Sequence, residues 1–359
     1  MKIIIAIIIS INLCVRFAYC GEHPQNESQS TEQNNDNKVL FTTKLDKGYI
    51  KKIRCDNQNS MFIVLSGEEA NICRTINGEK IYSLHVEIGT KTGQCVFSHN
   101  GKYLATISSV PKNEPGSPHG NFFDDDVSFS VWNAVDGALI QQYVFNQYES
   151  FSNICFSLDD QKVLLNNLGK IQIYDFHSGK LIQENRHDAS LGGFSPQGNY
   201  SLVYKWNHRE NIRLTVWSIQ KDSLTFDLKT GIDTRSTFTM PDLDNAVSIS
   251  FDENVLAFLD QAHSLIRVWE LKTGHPEKTL QVSGLETNCG CLSPTGKYYA
   301  VGSKTGQISV CEVNSGNVVH SFNEYPENIS SMAWTFDERH LLCGYANGTI
   351  IALTVSDPK

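Results

Sequence analysis

From Val39 onward, short apolar runs alternate with polar turns at a period near 40 residues. Each run closes on an apolar anchor just ahead of a turn: Ile53, Phe97, Phe156, Phe194, Ile249, Leu292 and Trp334. The turns read SHNGKY, SLDDQK, SPQGNY, SPTGKY and TFDERH. Gly or Asp at their centre supplies the tight or left-handed backbone that a hairpin requires. Short runs bounded in this way predict β-strands. Helical periodicity is nowhere sustained past two turns.

A second landmark follows each anchor, an aromatic or Cys with Gly five residues on. The pairs are Cys73/Gly78, Trp132/Gly137, Tyr174/Gly179, Phe226/Gly231, Trp269/Gly274 and Cys311/Gly316. From each Gly to the next anchor the intervals are 19, 19, 15, 18, 18 and 18 residues. Seven repeats of this length, each with four short strands, predict an all-β, seven-bladed β-propeller. In blade four the assignment has two forms, because Trp217 could take the landmark position in place of Phe226.

The segments FSPQGNY, LSPTGKYYAVGSKTGQISV and IRVWELKTG resemble the WD-repeat family, and the resemblance covers the chain from about Val39 to Val355. The Trp-Asp pair that names the family reads Trp132-Asn133, Tyr174-Asp175, Phe226-Asp227, Trp269-Glu270 and Cys311-Glu312 here. The family's Gly-His pair is largely missing, so its buried His-Asp network is expected to be absent from most blades. The resemblance implies a docking platform for other proteins.

The two ends fit one ring. Blade seven runs out of chain after a third strand ending near Leu353, whereas VLFTTKL (Val39 to Leu45) is a strand with no blade of its own. The N-terminal strand should therefore complete the last blade and leave no open edge at the seam. Ahead of it, Lys2, an apolar run from Ile3 to Val15 and Arg16 read as a secretory signal peptide over residues 1–20, too short for a bilayer core of ~30 Å. Cleavage after Cys20 is one outcome. The other is lipidation of Cys20, since Phe17-Ala18-Tyr19-Cys20-Gly21 resembles a lipoprotein box. Residues 21–38 are polar and read as a disordered spacer. The propeller takes 39–359, and the expected location is extracytoplasmic: secreted, periplasmic or surface-anchored.

Two repeats are too long. Phe97 to Trp132 spans 35 residues and Phe194 to Phe226 spans 32, against about 19 elsewhere. Both additions are expected between second and third strands, on one face. The first, Ser109 to Asp126, carries Phe122, Phe123, Asp124, Asp125 and Asp126; the second carries Trp206, His208, Arg209, Arg213 and Trp217. Aromatic and Arg side chains on loops of a rigid scaffold are typical of binding surfaces, and drift of surface loops is the plainer alternative. If Trp217 is the landmark, the extra length of blade four lies after it.

Composition and chemistry narrow the function. The net charge of -9 disfavours nucleic acid as a partner. No Gly-x-Ser-x-Gly elbow is present, and GSKTGQ (Gly302 to Gln307) lies at a hairpin with no helix to make it a phosphate loop. The acidic trio beside His119 is read as a solvated loop rather than a cation site, and Lys51, Lys52 and Arg54 as a solvated strand end. The inner strands read GQCVFS, SNICFS, LGGFSP, AVSISF and NCGCLS, with few groups for acid–base catalysis. No cofactor or metal is expected. Cysteines from Cys55 onward are expected as buried hydrophobes, although export would permit some disulfides. Sequons at Asn26, Asn199, Asn328 and Asn347 matter only in a glycosylating host.

The expected function is a non-catalytic, exported, monomeric scaffold for protein–protein interaction. It would touch a membrane only through a lipid on Cys20 and would bind a protein or peptide on the face carrying the insertions. The competing readings are an exported propeller enzyme or small-ligand binder using the central channel, and a cytosolic assembly subunit with an uncleaved N-terminus.

Overall fold

A computed structural model describes residues 38–355, apart from 86–93, 111–125, 146–150, 187–192, 206–212, 230–245 and gaps of one or two residues. Within them the apolar runs become strands in seven antiparallel sheets. The chain enters through β1 (Val39–Lys44). Blade one follows as β2 (Ile50–Cys55), β3 (Met61–Ser66), β4 (Glu69–Arg74) and β5 (Lys80–His85). Blade two is β6 (Gln94–Phe97), β7 (Tyr103–Val110), β8 (Asp126–Asn133) and β9 (Leu139–Phe145). Blade three is β10 (Phe151–Phe156), β11 (Lys162–Asn167), β12 (Lys170–Asp175) and β13 (Leu181–Arg186). Blade four has three strands, β14 (Tyr200–Lys205), β15 (Arg213–Ser218) and β16 (Ser223–Lys229).

Blade five is β17 (Val247–Ile249), β18 (Val255–Asp260), β19 (Leu265–Glu270) and β20 (Pro276–Gln281). Blade six is β21 (Thr287–Leu292), β22 (Tyr298–Ser303), β23 (Ile308–Glu312) and β24 (Val318–Phe322). Blade seven is β25 (Ile329–Trp334), β26 (His340–Tyr345) and β27 (Thr349–Thr354), completed by β1. Val39 pairs with Leu353 and Lys44 with Thr349, which closes the ring as the orphan strand at the N-terminus predicted. The first strand of each blade is innermost: β6 touches β10, β17 touches β21, β21 touches β25, and β25 touches β2.

Blade four departs from the expected four strands. Its inner position holds a single bridge, Phe194 to Ser201. Gly193 and Pro196 flank Phe194 closely, and neither residue type favours a ladder. The landmark question is also settled there. In six blades the pairing of third and fourth strands slips just before the landmark residue, at Cys73, Trp132, Tyr174, Trp217, Trp269 and Cys311. Trp217 is therefore the landmark of blade four, and Phe226 sits on the fourth strand opposite Val216. The residue five positions on is Asp222, with φ of 48°, where Gly78, Gly137, Gly179 and Gly316 have φ of 70°, 71°, 64° and 76°.

The core consists of seven apolar clusters, one between each pair of neighbouring blades. Blades one and two share Ile63, Leu65, Ile72, Cys95 and Leu104, and blades two and three share Phe129, Val131, Phe156 and Tyr174. Blades six and seven bury Tyr298, Phe322, Trp334 and Tyr345 together. Between blades three and four the buried set among the described residues is Leu164, Ile171, Ile173 and Ile219, with Cys155 and Phe194 partly buried against it. Burying apolar area at about 25 cal/mol per Å² makes such clusters the main force holding blade to blade.

Candidate interaction face

The topology decides where the insertions emerge. The connection from β7 to β8 (111–125), the one from β14 to β15 (206–212) and the one from β16 to β17 (230–245) all join strand ends on the same face of the ring. The β7–β8 pair is long, eight residues each, and runs out to Val110 opposite Asp126. The first insertion thus extends from an elongated hairpin between second and third strands, as the spacing predicts. The extra length of blade four instead falls largely after its landmark, in 230–245.

The proposed contact residues separate accordingly. Phe122, Phe123, Asp124, Asp125, Trp206, His208 and Arg209 lie outside the described residues. Asp126 opens β8 and Arg213 opens β15, so both begin third strands on the insertion face. Trp217 does not belong with them. It sits at the far end of β15, half-buried, with its Nε1 donating to Asp222 Oδ1 at 3.3 Å.

The opposite face carries a belt that the sequence did not reveal. The turns between first and second strands alternate around the ring. Asn59, Asp160, Glu253 and Glu338 hold positive φ in blades one, three, five and seven, and Gly101, Gly198 and Gly296 do so in blades two, four and six. Each polar member reaches back to the preceding blade. Asp160 accepts the backbone N–H groups of His99 and Asn100 at 2.7 and 2.8 Å. Glu253 accepts from the Gln197 N–H and Asn199 Nδ2. Glu338 accepts from the Thr295 N–H and hydroxyl, and Asn59 Oδ1 accepts the Asp337 N–H. Phe251 and Phe336 meet edge-on at 4.8 Å between centroids, and the His99 ring lies 5.9 Å from that of Phe251.

The inner strands need a correction. Blade one contributes IKKIRC, so Lys52 and Arg54 stand on an innermost strand rather than at a solvated end. Arg54 Nη2 donates to Gln94 Oε1 of blade two at 2.9 Å. A single strand thus brings cationic side chains to inner strands that, among the described residues, otherwise carry small, apolar, hydroxyl and amide side chains.

None of the eight cysteines from Cys55 to Cys343 is in a disulfide. Burial pushes the thiols of Cys73 and Cys95 up to about 12, and raises Cys155, Cys291 and Cys343 as well. They stay protonated at neutral pH and are poor nucleophiles. Gly290, between Cys289 and Cys291, makes room for Tyr299, whose hydroxyl would lie 2.5 Å from a Cβ there. Among the described residues, no three His, Cys, Asp or Glu side chains converge as a metal site would require.

Seven blades, a shared N-terminal seam and the recurring bulge before a landmark residue define a seven-bladed β-propeller. A family model for the anaphase-promoting complex subunit 4 WD40 domain matches residues 257–337. Human apoptotic protease-activating factor 1 is 22% identical over 220 residues, covering 52% of this chain and 17% of that protein's length. Together with the ring these matches support a WD-repeat propeller, a class that typically serves as a scaffold for protein interaction.

Proposed function

We propose that the chain is a non-catalytic scaffold, exported from the cytoplasm, that binds a protein or peptide on the face carrying the insertions. The observation that supports this reading is that the strand ends flanking 111–125, 206–212 and 230–245 lie on one face of a closed ring. A rigid scaffold with long loops on one side is the usual arrangement for recognition. Phe122, Phe123, the acidic run Asp124 to Asp126, Trp206, His208, Arg209 and Arg213 are its contact residues. The N-terminal segment directs export, with Cys20 either the last residue removed or the site of a lipid anchor. The ring acts as a monomer.

Affinity capture from the native host tests this, comparing the processed chain with a version lacking 109–126 and reading both by mass spectrometry. A protein partner lost with the loop supports the scaffold and locates its face. Equal capture by both versions removes the first insertion from the site. The mature N-terminus read in the same experiment tests export.

A further inference from the structure

Among the described residues the apolar clusters between blades are unequal, and the one between blades three and four has the fewest buried members. Only Leu164, Ile171, Ile173 and Ile219 form its buried set among the described residues. At three other interfaces an aromatic side chain of the fourth strand packs on the next blade's turn: Phe41 on Gly78, Tyr82 on Gly137 and Tyr143 on Gly179. At the matching registers β13 offers Gln183 and Asn185. Blade three stands between the two blades whose strands flank the insertions, blades two and four.

His99 spans it. The imidazole belongs to the first turn of blade two and its side chain is 12% exposed. Its Nδ1 faces Asp160 Oδ1 of blade three at 3.2 Å, and its Nε2 faces the Pro196 carbonyl of blade four at 2.8 Å. An ionised carboxylate and a carbonyl only accept hydrogen bonds. A neutral imidazole has one N–H, so one of its nitrogens would set a lone pair against an oxygen. The imidazolium donates to both.

We infer that His99 is a protonated clasp, its imidazolium tying blade two to blades three and four, so that proton binding controls the packing of the sector that carries the insertions. The groups around it are few. Blade three presents the Asp160 carboxylate, which also accepts the His99 and Asn100 N–H groups. Blade four presents the Pro196 carbonyl and the uncharged Gln197. Blade five presents the Phe251 ring, while Asp252 is engaged by Ser250 and Asn254, and Glu253 by Gln197 and Asn199.

The direction of titration follows. Burial lowers the His99 pKa, but the bonds to Asp160 and the Pro196 carbonyl outweigh it, and the net shift is upward from 6.5. A His with a raised folded-state pKa contributes stability that is fully present below its unfolded value. That contribution fades as pH rises through the folded value. The clasp is therefore closed in mild acid and released toward alkaline pH.

The experiment combines ring ¹⁵N NMR of the wild-type chain with urea unfolding of wild type and His99→Gln across about pH 6 to about pH 9. The expected spectrum at about pH 7 has both His99 ring nitrogens protonated, with titration above 6.5. The urea midpoint of wild type should exceed that of H99Q at the acid end and approach it at the alkaline end. A neutral tautomer at about pH 7, or two midpoint curves that stay parallel, would overturn the clasp. Should H99Q not fold, the wild-type spectrum alone decides. None of these readouts depends on the proposed partner.

Discussion

The Tyr143 ring of blade two lies against the α-carbon of Gly179 in blade three, where an added Cβ would run into it. The same relation joins Tyr82 to Gly137 and Phe41 to Gly78, where a Cβ would come within 2.9 and 2.5 Å of the ring. At these three positions the Gly thus meets two demands: a left-handed turn, with φ of 64° at Gly179, and room for a ring from the neighbour. Gly179→Ala should cost about 2–4 kcal/mol, from left-handed strain plus displacement of the ring. Gly48, with nothing within 4 Å of a Cβ, is the control. Gly48→Ala should shift stability by no more than about 0.5 kcal/mol. Urea unfolding of the two variants measures the difference, and equal losses would remove the ring-on-glycine explanation.

Asp222 is the exception that fits. No aromatic side chain reaches it from β13, so the turn after Trp217 needs only a left-handed residue, and Asp tolerates that conformation better than most. Asp222→Gly should therefore be neutral or stabilising by up to about 1 kcal/mol, since the bond from Trp217 is long and solvent-facing. Asp222→Ala should lose about 1 kcal/mol. Thermal midpoints that rank Ala above Gly would contradict this account.

These contacts also show what the sequence could and could not convey. Anchors such as Phe97 and Phe156, turn residues such as Gly137 and the orphan strand Val39–Lys44 are local signals with fixed spacing, so the ring and its seam were legible. Phe226 and Trp217 both read as landmark candidates because Gly231 follows Phe226 at the right distance, and the position is the one that carries Trp217 and Asp222. The signal was present, but it used Asp where the other turns use Gly. The belt was hidden for a different reason. Asp160, Glu253 and Glu338 are visible in their turns, but their partners are one blade away, and only the folded ring brings them together. Arg54 reads as part of a solvated strand end because blade one's inner strand, IKKIRC, has the charge of a surface run. The insertions themselves could be counted and assigned to a face, but spacing does not specify what they contact.

The belt makes its own prediction. Glu253 is buried, and its two carboxylate oxygens accept from the Gln197 backbone and Asn199. Glu253→Ala leaves the Gln197 N–H without its acceptor and should cost about 1.5–3 kcal/mol. Glu253→Gln retains an acceptor and should lose roughly half as much. A double-mutant cycle of Glu253→Ala with Asn199→Ala should show coupling, because the two side chains touch. Additive losses would mean that the carboxylate acts within its own blade only.

The seam between the chain ends is the last relation that a deletion can test. β1 pairs with β27 along its whole length, and Phe41 stacks on Phe62 of blade one at 6.1 Å between centroids. Removing 39–45 therefore strips the fourth strand from blade seven and also takes Leu45 and Phe41 from the cluster shared with blade one. The exposed edge of β27 would then present unpaired backbone groups beside a buried apolar strand, a template for pairing with another chain. The truncated protein should aggregate, or unfold in two steps with blade seven leaving first. Adding back a synthetic peptide of residues 38–46 should restore a single cooperative transition, since a ring closed by pairing does not require the strand to be covalently attached. Size-exclusion chromatography and calorimetry read both outcomes. A soluble truncation that unfolds in one transition at the wild-type temperature would show that the ring does not depend on the seam.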